Sequence, residues 1–145
     1  MDGWRVVTLA AGDYDAVRAL WEAAGLPIRP TGRDSREAFA EQIEGGTQTV
    51  IGLEQGGRLI GVVLATHDGR KGWINRLAVD PAVRRKGAGR RLIEEAECLL
   101  KAQGMSVIAA LIEGSNGASL ALFEQAGYET HPDIHYVSKR DRGDV

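Results

Sequence analysis

The stretch from Asp80 to Leu100, "DPAVRRKGAGRRLIEEAECLL", reads as a turn followed by a long amphipathic helix. The apolar stripe of this predicted helix consists of Leu92, Ile93, Ala96, Leu99 and Leu100, and Gly104 ends the helix. Its entrance is basic and carries Arg84, Arg85, Lys86, Arg90 and Arg91. A helix N-terminus bears about half a positive elementary charge, so each cation there is unfavourable by about 0.3–1 kcal/mol. Helix formation alone does not explain this cluster.

Two glycines and a buried-looking strand favour an anion at this entrance. Gly87 and Gly89 lie among the cations, and the segment "WINRLAV" (Trp73–Val79) leads into the turn. Glycines let a ligand approach the backbone, and the first N–H groups of a helix and nearby cations bind anions. The stretch therefore predicts a diphosphate-binding turn, and the alternative is a solvated charged turn. The order of residues excludes a P-loop, because Lys86 precedes the glycines, and a Rossmann fingerprint, because Leu92 takes the third glycine position.

The composition is that of one soluble domain covering residues 1–145, with a polar tail from about 138 to 145. The chain is 43% hydrophobic and 26% charged. Its net charge is −2, so any site for a polyanion must be local. Cys98 is the only cysteine, which excludes an internal disulfide and fits a reducing compartment. Because we find no signal-peptide pattern and no apolar run of about 18 residues, we predict a cytoplasmic protein that does not cross a membrane.

Hydrophobic periodicity and turn signals predict the element order β-α-α-β-β-β-α-β-α-β. The predicted strands are Trp4–Leu9, Thr47–Glu54, Arg58–His67, Trp73–Val79, Ser106–Ile112 and Ile134–Ser138. Besides the long helix, we expect one after Asp13 that stops at Gly25, one capped by Asp34 or Ser35 that runs to about Glu44, and one from the cap Asn116 to Ala126. This order implies the α/β (α+β) class: a single mixed, mostly antiparallel sheet flanked by helices.

Two motifs resemble those of a known superfamily. "LAVDPAVRRKGAGRRLI" (Leu77–Ile93) resembles the acetyl-CoA-binding motif of the GNAT N-acetyltransferases, Arg/Gln-x-x-Gly-x-Gly/Ala. "NGASLALFEQAGYE" (Asn116–Glu129) resembles the second motif of that superfamily, with Tyr128 in place of its phenylalanine. The predicted element order is also similar to that of the acyl-CoA N-acyltransferase fold. The resemblance therefore covers nearly the whole chain and is nearest to small single-domain bacterial members.

The resemblance implies acetyl-CoA as cosubstrate, with its pantetheine arm between the strand ending at Val79 and the next strand. Backbone groups of Leu77, Ala78 and Val79 would contact that arm, and the N–H of Leu77 would face the thioester carbonyl. The implied pyrophosphate site is Arg84, Arg85, Lys86, Gly87, Ala88, Gly89 and Arg90. The resemblance leaves open which of Arg85, Lys86 and Arg91 contacts the 3′-phosphate. Asn116 either binds pantetheine or caps its helix, or does both, and Phe123 packs on the cofactor or in the core.

The chain departs from the family at the positions that often carry the acid and base. Phe123 stands where many members have a tyrosine acid, and Trp73 and Leu111 stand where some members have a glutamate base. Glu113 and Tyr136 are the remaining candidates, and neither is assigned by a motif. An α-amine, with a pKa of about 8, is partly neutral at neutral pH, unlike a lysine amine at about 10.4. We therefore predict direct attack by a primary amine of a small molecule or protein N-terminus in a ternary complex, with water relaying the proton.

Other polar residues have local explanations as well as functional ones. Asp68 favours a turn role. His131 and His135 either line the acceptor groove or pack, and Arg29 and Arg33 either bind an acceptor carboxylate or face solvent. No pair of histidines or carboxylates has metal-ligand spacing, so we predict no metal.

Two other functions stay open alongside the enzyme. One is a catalytically weak CoA-binding regulatory or sensor module, which the missing tyrosine and glutamate favour. The other is a nucleic-acid-binding domain, against which the net charge and the lack of aromatic residues among the basic ones both count. A homodimer through an exposed last strand is a further hypothesis.

Overall fold

The computed structural model describes residues 3–46 and 48–143. It shows a five-stranded mixed sheet with helices on both faces. The strands are Trp4–Thr8 (β1), Gln48–Gln55 (β2), Arg58–His67 (β3), Gly72–Val79 (β4) and Ile108–Ala109 (β5). The helices are Tyr14–Ala23 (α1), Arg36–Glu44 (α2), Ala88–Ala102 (α3) and Gly117–Gln125 (α4), and Ala11–Asp13 and Pro81–Val83 form single 3-10 turns. The predicted fold class is confirmed.

The strands lie in the sheet in chain order, from β1 to β5. The β1–β2, β2–β3 and β3–β4 pairs are antiparallel, and β4 and β5 are parallel. Gly56 and Gly57 join β2 to β3 with φ values of +58° and +80°, the backbone that a two-residue hairpin turn requires. The parallel pair needs a long crossover, which α3 supplies.

Two apolar layers enclose the sheet. On one face, the stripe that the sequence predicted for α3 packs on alternate strand residues, including Leu53, Ile60, Val63 and Ile74. On the other face, α1 and α2 bury Val17, Leu20, Trp21 and Phe39 against Val50, Val62, Leu64 and Ala78. Close approach of α3 depends on Gly61, since a Cβ there would lie 2.8 Å from Leu92 Cδ1.

Two predicted helix caps are confirmed, whereas Asp13, at the start of α1, forms no side-chain capping bond to that helix. Ser35 is the one of the two candidates that caps α2, and its Oγ accepts a hydrogen bond of 3.1 Å from the N–H of Ala38. Asn116 is the N-cap of α4, and its Oδ1 accepts a hydrogen bond of 3.1 Å from the N–H of Ser119. Each cap satisfies a helix N–H group that has no partner within its own helix.

The last predicted strand was wrong, and the strand before it is shorter than expected. Residues 134–138 form no strand, and β5 comprises only Ile108 and Ala109 instead of Ser106–Ile112. The apolar and aromatic residues of this segment, Ile134, Tyr136 and Val137, are 70%, 60% and 88% exposed. Strand formation requires a neighbouring strand and a surface to pack against, and a two-residue β5 supplies little of either. The homodimer hypothesis invoked this strand and loses its basis.

A hydrogen bond between side chains fastens the segment after α4 to α3. The hydroxyl of Tyr128 donates to Glu97 Oε2 at 2.6 Å, and the Tyr128 ring meets the Phe123 ring edge-on at 5.0 Å. Burial, followed by the hydrogen bond to Glu97, raises the pKa of Tyr128 well above its usual value of 10.0. The tyrosine that replaces the motif's phenylalanine therefore adds a bond between α3 and the segment that follows α4.

Replacing Tyr128 with phenylalanine keeps the ring contact and removes this bond. We expect Tyr128→Phe to lower the free energy of unfolding by about 1.5 kcal/mol at pH 7. The raised pKa means that the folded protein favours the neutral phenol. The difference between wild type and variant is therefore full below about pH 10 and shrinks as the pH rises further. Urea unfolding between pH 7 and 11 measures both effects.

Tyr136→Phe is the matched control, since its ring is 60% exposed. It should change the unfolding free energy by less than about 0.5 kcal/mol. Equal losses in the two variants, or a Tyr128→Phe difference that grows above pH 10, would contradict this account.

Candidate active site

A wedge-shaped gap opens between β4 and β5. The two strands pair only at Gly72–Ile108 and Trp73–Ala109, whereas β4 continues to Val79. From Ile74 onward, no described residue pairs with β4 on this side of the sheet. The geometry matches the separation of strands that the resemblance implied. It leaves backbone groups of β4 available to a ligand.

A β-bulge interrupts β4 on its other side, next to the gap. Leu64 pairs with Asn75 and Val62 pairs with Ala78, so Val63 alone faces two β4 residues, Arg76 and Leu77. Arg76 has φ +55°, a left-handed conformation that costs a non-glycine residue about 1–2 kcal/mol. Bulges re-aim the backbone and are common beside active sites. Sequence reasoning missed this bulge, because its usual signal is a glycine and the chain has an arginine there.

The basic turn leads from β4 to α3 through two positive φ angles. Asp80 Oδ1 accepts the N–H of Ala82 at 2.9 Å and fixes the 3-10 turn after β4. Arg85 (φ +65°) and Gly87 (φ +90°) then reverse the chain. Gly87 is the N-cap of α3, so no side chain caps this helix, and its first turn has no acidic residue. The N-terminus of α3 therefore keeps its positive potential.

The cations of the turn differ in whether their side chains have a partner among the described residues. Arg90 and Arg91 pair with Glu94 and Glu95, one helical turn further on, each at 3.2 Å. Arg84 reaches back to α1, where its Nη2 donates to the Ala24 carbonyl at 3.4 Å.

By contrast, the side chains of Arg85 and Lys86 form no ion pair or hydrogen bond with any residue in 3–46 or 48–143. Glutamates thus offset the charge inside the helix, and the excess positive charge lies in the turn itself.

The two motif glycines serve different purposes. A Cβ on Gly89 would lie 2.8 Å from Leu122 Cδ2, so Gly89 allows α4 to pack on α3. A Cβ on Gly87 would meet no atom within 4 Å, and this glycine is required by its φ of +90°. The sequence attributed both glycines to ligand approach, and for Gly89 the helix contact is a sufficient reason.

The remaining cofactor and catalytic candidates differ in exposure. Phe123 is 5% exposed and lies in the core against Tyr128. Glu113 is exposed in the connection between β5 and α4. His131, His135 and Tyr136 line one cleft of about 980 Å³, together with β5 and α4. The structure thus brings these three C-terminal residues together and keeps Glu113 outside their cleft.

The loop between α1 and α2 carries two further candidates, and a hairpin carries another. Arg29 and Arg33 are both exposed, as an acceptor-binding role and the solvated alternative each require. Asp68 has the turn role that the sequence favoured, since its Oδ1 accepts the N–H groups of Arg70 and Lys71 at 2.8 Å each. These bonds hold the pKa of Asp68 below its usual value.

Comparison with known proteins identifies the family. The sequence model of the family described as acetyltransferase (GNAT) matches residues 14–128. The chain belongs to this family and is an acetyltransferase.

Relatives and solved structures agree with this assignment. An acetyltransferase of Sodalis glossinidius is 27% identical over 128 residues, which are 88% of this chain and 89% of that protein. The ribosomal-protein-S18-alanine N-acetyltransferase of Escherichia coli is 25% identical with a TM-score of 0.73, covering 86% of this chain and 76% of that one. A predicted acetyltransferase of Clostridium acetobutylicum, solved with acetyl-CoA, shares the fold at 11% identity, with a TM-score of 0.78 over 93% of this chain and 96% of that one.

Neither a membrane-spanning helix nor a metal-ligand cluster occurs among the described residues. No helix there has both the length and the hydropathy to cross a membrane. In the same part of the chain, no three His, Cys, Asp or Glu side chains lie close enough together to hold a metal ion. The absence of a metal or nucleic-acid partner and the cytoplasmic location stay predictions.

Replacing Gly87 with alanine tests the backbone of the turn. We expect Gly87→Ala to lower the unfolding free energy by about 1–2 kcal/mol, because alanine is strained at φ +90°. Urea denaturation of the purified protein measures the change.

Gly117→Ala is the control, because Gly117 lies in the first turn of α4 and a Cβ there would meet no atom within 4 Å. Alanine is the better helix former at this position, and we expect a gain of up to about 1 kcal/mol. A similar loss in both variants would show that the left-handed backbone is not what makes Gly87 necessary.

Proposed function

We propose that this enzyme transfers the acetyl group of acetyl-CoA to a primary amine by direct attack within a ternary complex. The observation that carries the proposal is the juxtaposition of the β4–β5 gap with the basic turn. The turn follows β4 directly, so a ligand whose phosphates lie on the turn has its other end beside the backbone of Leu77–Val79. A long molecule with a diphosphate at one end and a thioester at the other has this form.

The proposed diphosphate site combines backbone donors with unpaired cations. The uncapped N–H groups at Ala88, Gly89 and Arg90 begin α3, which is 15 residues long. An anion there satisfies these groups and the helix dipole together. Arg85 and Lys86 supply charge that no described carboxylate neutralises, and Arg84 completes the motif. One of Arg85, Lys86 and Arg91 is then left for the 3′-phosphate.

The proposed acetyl site is the bulge in β4. The N–H of Leu77 would donate to the thioester carbonyl oxygen and stabilise the negative charge that develops during attack. Loss of one such donor typically costs about 3 kcal/mol of transition-state stabilisation. Ala78 and Val79 would contact pantetheine through their backbones, Asn116 would bond to it from the cap of α4, and Phe123 would pack beside it.

In the proposed chemistry the amine nitrogen attacks the carbonyl carbon, the carbon–sulfur bond breaks, and the nitrogen's proton passes through water to the thiolate or to bulk solvent. No carboxylate lies on β4, and the residue at the tyrosine position is the buried Phe123. Positioning of two reactants can by itself supply on the order of 7 kcal/mol. Glu113 and Tyr136 are therefore not needed as acid or base. An acceptor whose amine is already neutral reacts fastest.

The acceptor we favour is an α-amine, in a small molecule or at a protein N-terminus. Its pKa of about 8 leaves it partly neutral near pH 7. The Escherichia coli relative, whose name gives a protein alanine as its acceptor, supports this class. Arg29 and Arg33, which are exposed on the loop before α2, would bind a carboxylate of such an acceptor.

Removing the two unpaired cations tests the cofactor site. For Arg85→Ala/Lys86→Ala we expect a dissociation constant for acetyl-CoA at least about tenfold higher by isothermal titration calorimetry. We expect the same variant to be more stable without ligand by about 0.3–1 kcal/mol per cation, because each opposes the α3 dipole. Weaker binding together with a more stable fold is the signature of a ligand site.

Arg5→Ala/Arg36→Ala is the matched control, since these arginines form exposed ion pairs with Glu54 and Asp15 away from the turn. It should leave acetyl-CoA binding unchanged. Titration with dephospho-CoA separates the two phosphate sites: a smaller effect of the variant on this ligand assigns Arg85 or Lys86 to the 3′-phosphate. Absence of binding by the wild-type protein would overturn the proposal.

The pH dependence of turnover tests the absence of an enzymic base. With a lysine-type amine, we expect the logarithm of kcat/KM to rise linearly to about pH 10, the pKa of the amine itself. With an α-amine the rise should level near pH 8. Thiol release from acetyl-CoA across a panel of amines measures these rates.

A plateau at lower pH that Glu113→Gln removes would contradict this mechanism and make Glu113 the base. Tight binding of acetyl-CoA without thiol release for any amine would instead favour the alternative of a CoA-binding regulatory or sensor module.

A further inference from the structure

The side chain of Arg76 crosses from the β4 bulge to the loop between α1 and α2. Its Nη1 donates to the carbonyl of Pro27 at 2.7 Å, and its Nη2 lies 3.5 Å from Asp34 Oδ2. The guanidinium carbon lies 4.5 Å from the centroid of the Trp21 ring in α1. A single side chain therefore contacts the strand, the helix and both ends of the loop.

The loop is closed by Asp34, the partner of Arg76. Asp34 Oδ2 accepts the N–H of Arg29 at 2.7 Å, and the N–H of Asp34 donates to the Arg29 carbonyl at 3.0 Å. The hydroxyl of Tyr14 donates to the carbonyl of Asp34 at 2.6 Å. Asp34 thus fastens the segment that carries the exposed Arg29 and Arg33, and it also pairs with the bulge.

This pair is less exposed than the ion pairs of Arg5, Arg18, Arg36, Arg58, Arg90 and Arg91. The side chains of Arg76 and Asp34 are 19% and 10% exposed. Nε and Nη2 of Arg76 are buried, and neither has a hydrogen-bond acceptor among the described residues. Removal of one member of a buried pair leaves the other charge uncompensated, which is far more costly than loss of a surface pair.

The backbone of Arg76 is unfavourable for an arginine and would suit a glycine. Its φ of +55° belongs to the bulge, and the next residue is Leu77. A strained conformation and a buried guanidinium at one residue break two local rules, and such combinations mark functional positions. What the arginine adds over a glycine is the contact with the loop.

We propose that Arg76 is a positioning residue that couples the 24–35 loop to the bulge that presents the Leu77 N–H. The inference rests on the proposed function, because there the bulge receives the thioester and the loop borders the acceptor. Docking of the cofactor against β4 then fixes the bulge, and Arg76 transmits that order to the loop. Binding of acetyl-CoA then further orders a loop that Arg76 already holds in the free protein.

Hydrogen–deuterium exchange of the 24–35 loop tests the contact without any ligand. Arg76→Gly removes the side chain while glycine accepts φ +55°, and Asp34→Asn removes the charge while keeping an oxygen for the Arg29 N–H. We expect either variant to speed exchange of the loop by about tenfold. The double variant should add little, because both changes break the same pair. Arg85→Gly, the same substitution at φ +65°, should leave the loop unchanged.

Unaltered loop exchange in Arg76→Gly, or fully additive effects in the double variant, would overturn the proposal. If Arg76→Gly does not fold, Arg76→Lys replaces it. Lysine keeps the charge but loses the planar fork and the stacking on Trp21, so we expect intermediate exchange.

Addition of saturating acetyl-CoA tests the coupling. In the wild type we expect the ligand to slow exchange of the loop by at least about threefold. Arg76→Gly should bind acetyl-CoA with a dissociation constant within about threefold of wild type, because the basic turn is intact, and yet show no slowing in the loop. If acetyl-CoA still slows exchange of the loop in Arg76→Gly, the coupling is refuted, but the contact by which Arg76 holds the free loop is not. Failure of the wild type to bind refutes the proposed function, and the ligand-free exchange then still decides whether Arg76 holds the loop.

Discussion

The loss of regular pairing along β4 is the constraint on which the rest of this structure depends. On one side β5 leaves after two residue pairs, and on the other a bulge sets Val63 against Arg76 and Leu77. A central strand with unpaired backbone is unfavourable unless something else satisfies it. Neighbouring elements meet at this point: the basic turn continues from the end of β4, α4 packs beside α3, and the loop before α2 contacts the bulge. The candidate active site is therefore the defect in the sheet.

The charges around this defect are arranged to remain uncompensated where a ligand is expected. Glutamates one turn into α3 pair with Arg90 and Arg91, so the helix itself carries little excess charge. Arg85 and Lys86 lie before the helix, where no described carboxylate reaches them. Three other arginines, on β1, α1 and α2, form ion pairs. What distinguishes Arg85 and Lys86 is their place before the uncapped N-terminus of α3 in a protein whose net charge is −2, as expected for a site that binds an anion.

Gly87 and Arg76 both adopt positive φ angles, but in different chemical contexts. Gly87 adopts one where nothing lies nearby, so glycine is needed for the backbone alone. Arg76 adopts one where its side chain has several partners, so the side chain justifies the strain. The difference separates a residue that shapes a turn from a residue that links two parts of the site. It also explains why the bulge has no sequence signal of the usual kind.

The sequence by itself determined what depends on neighbouring residues. The caps Ser35 and Asn116, the stripe of α3, the hairpin at Gly56-Gly57 and the basic turn are all encoded within a few positions, and two spaced motifs were enough to indicate the family. Tertiary structure decided what depends on partners distant in the chain. The strand predicted at 134–138 did not form, because β5 gives it almost no edge to pair with. The contact of Gly89 with Leu122, the bulge at Arg76 and its buried pair with Asp34 join residues 33 to 42 positions apart or in separate strands, and no local pattern records them.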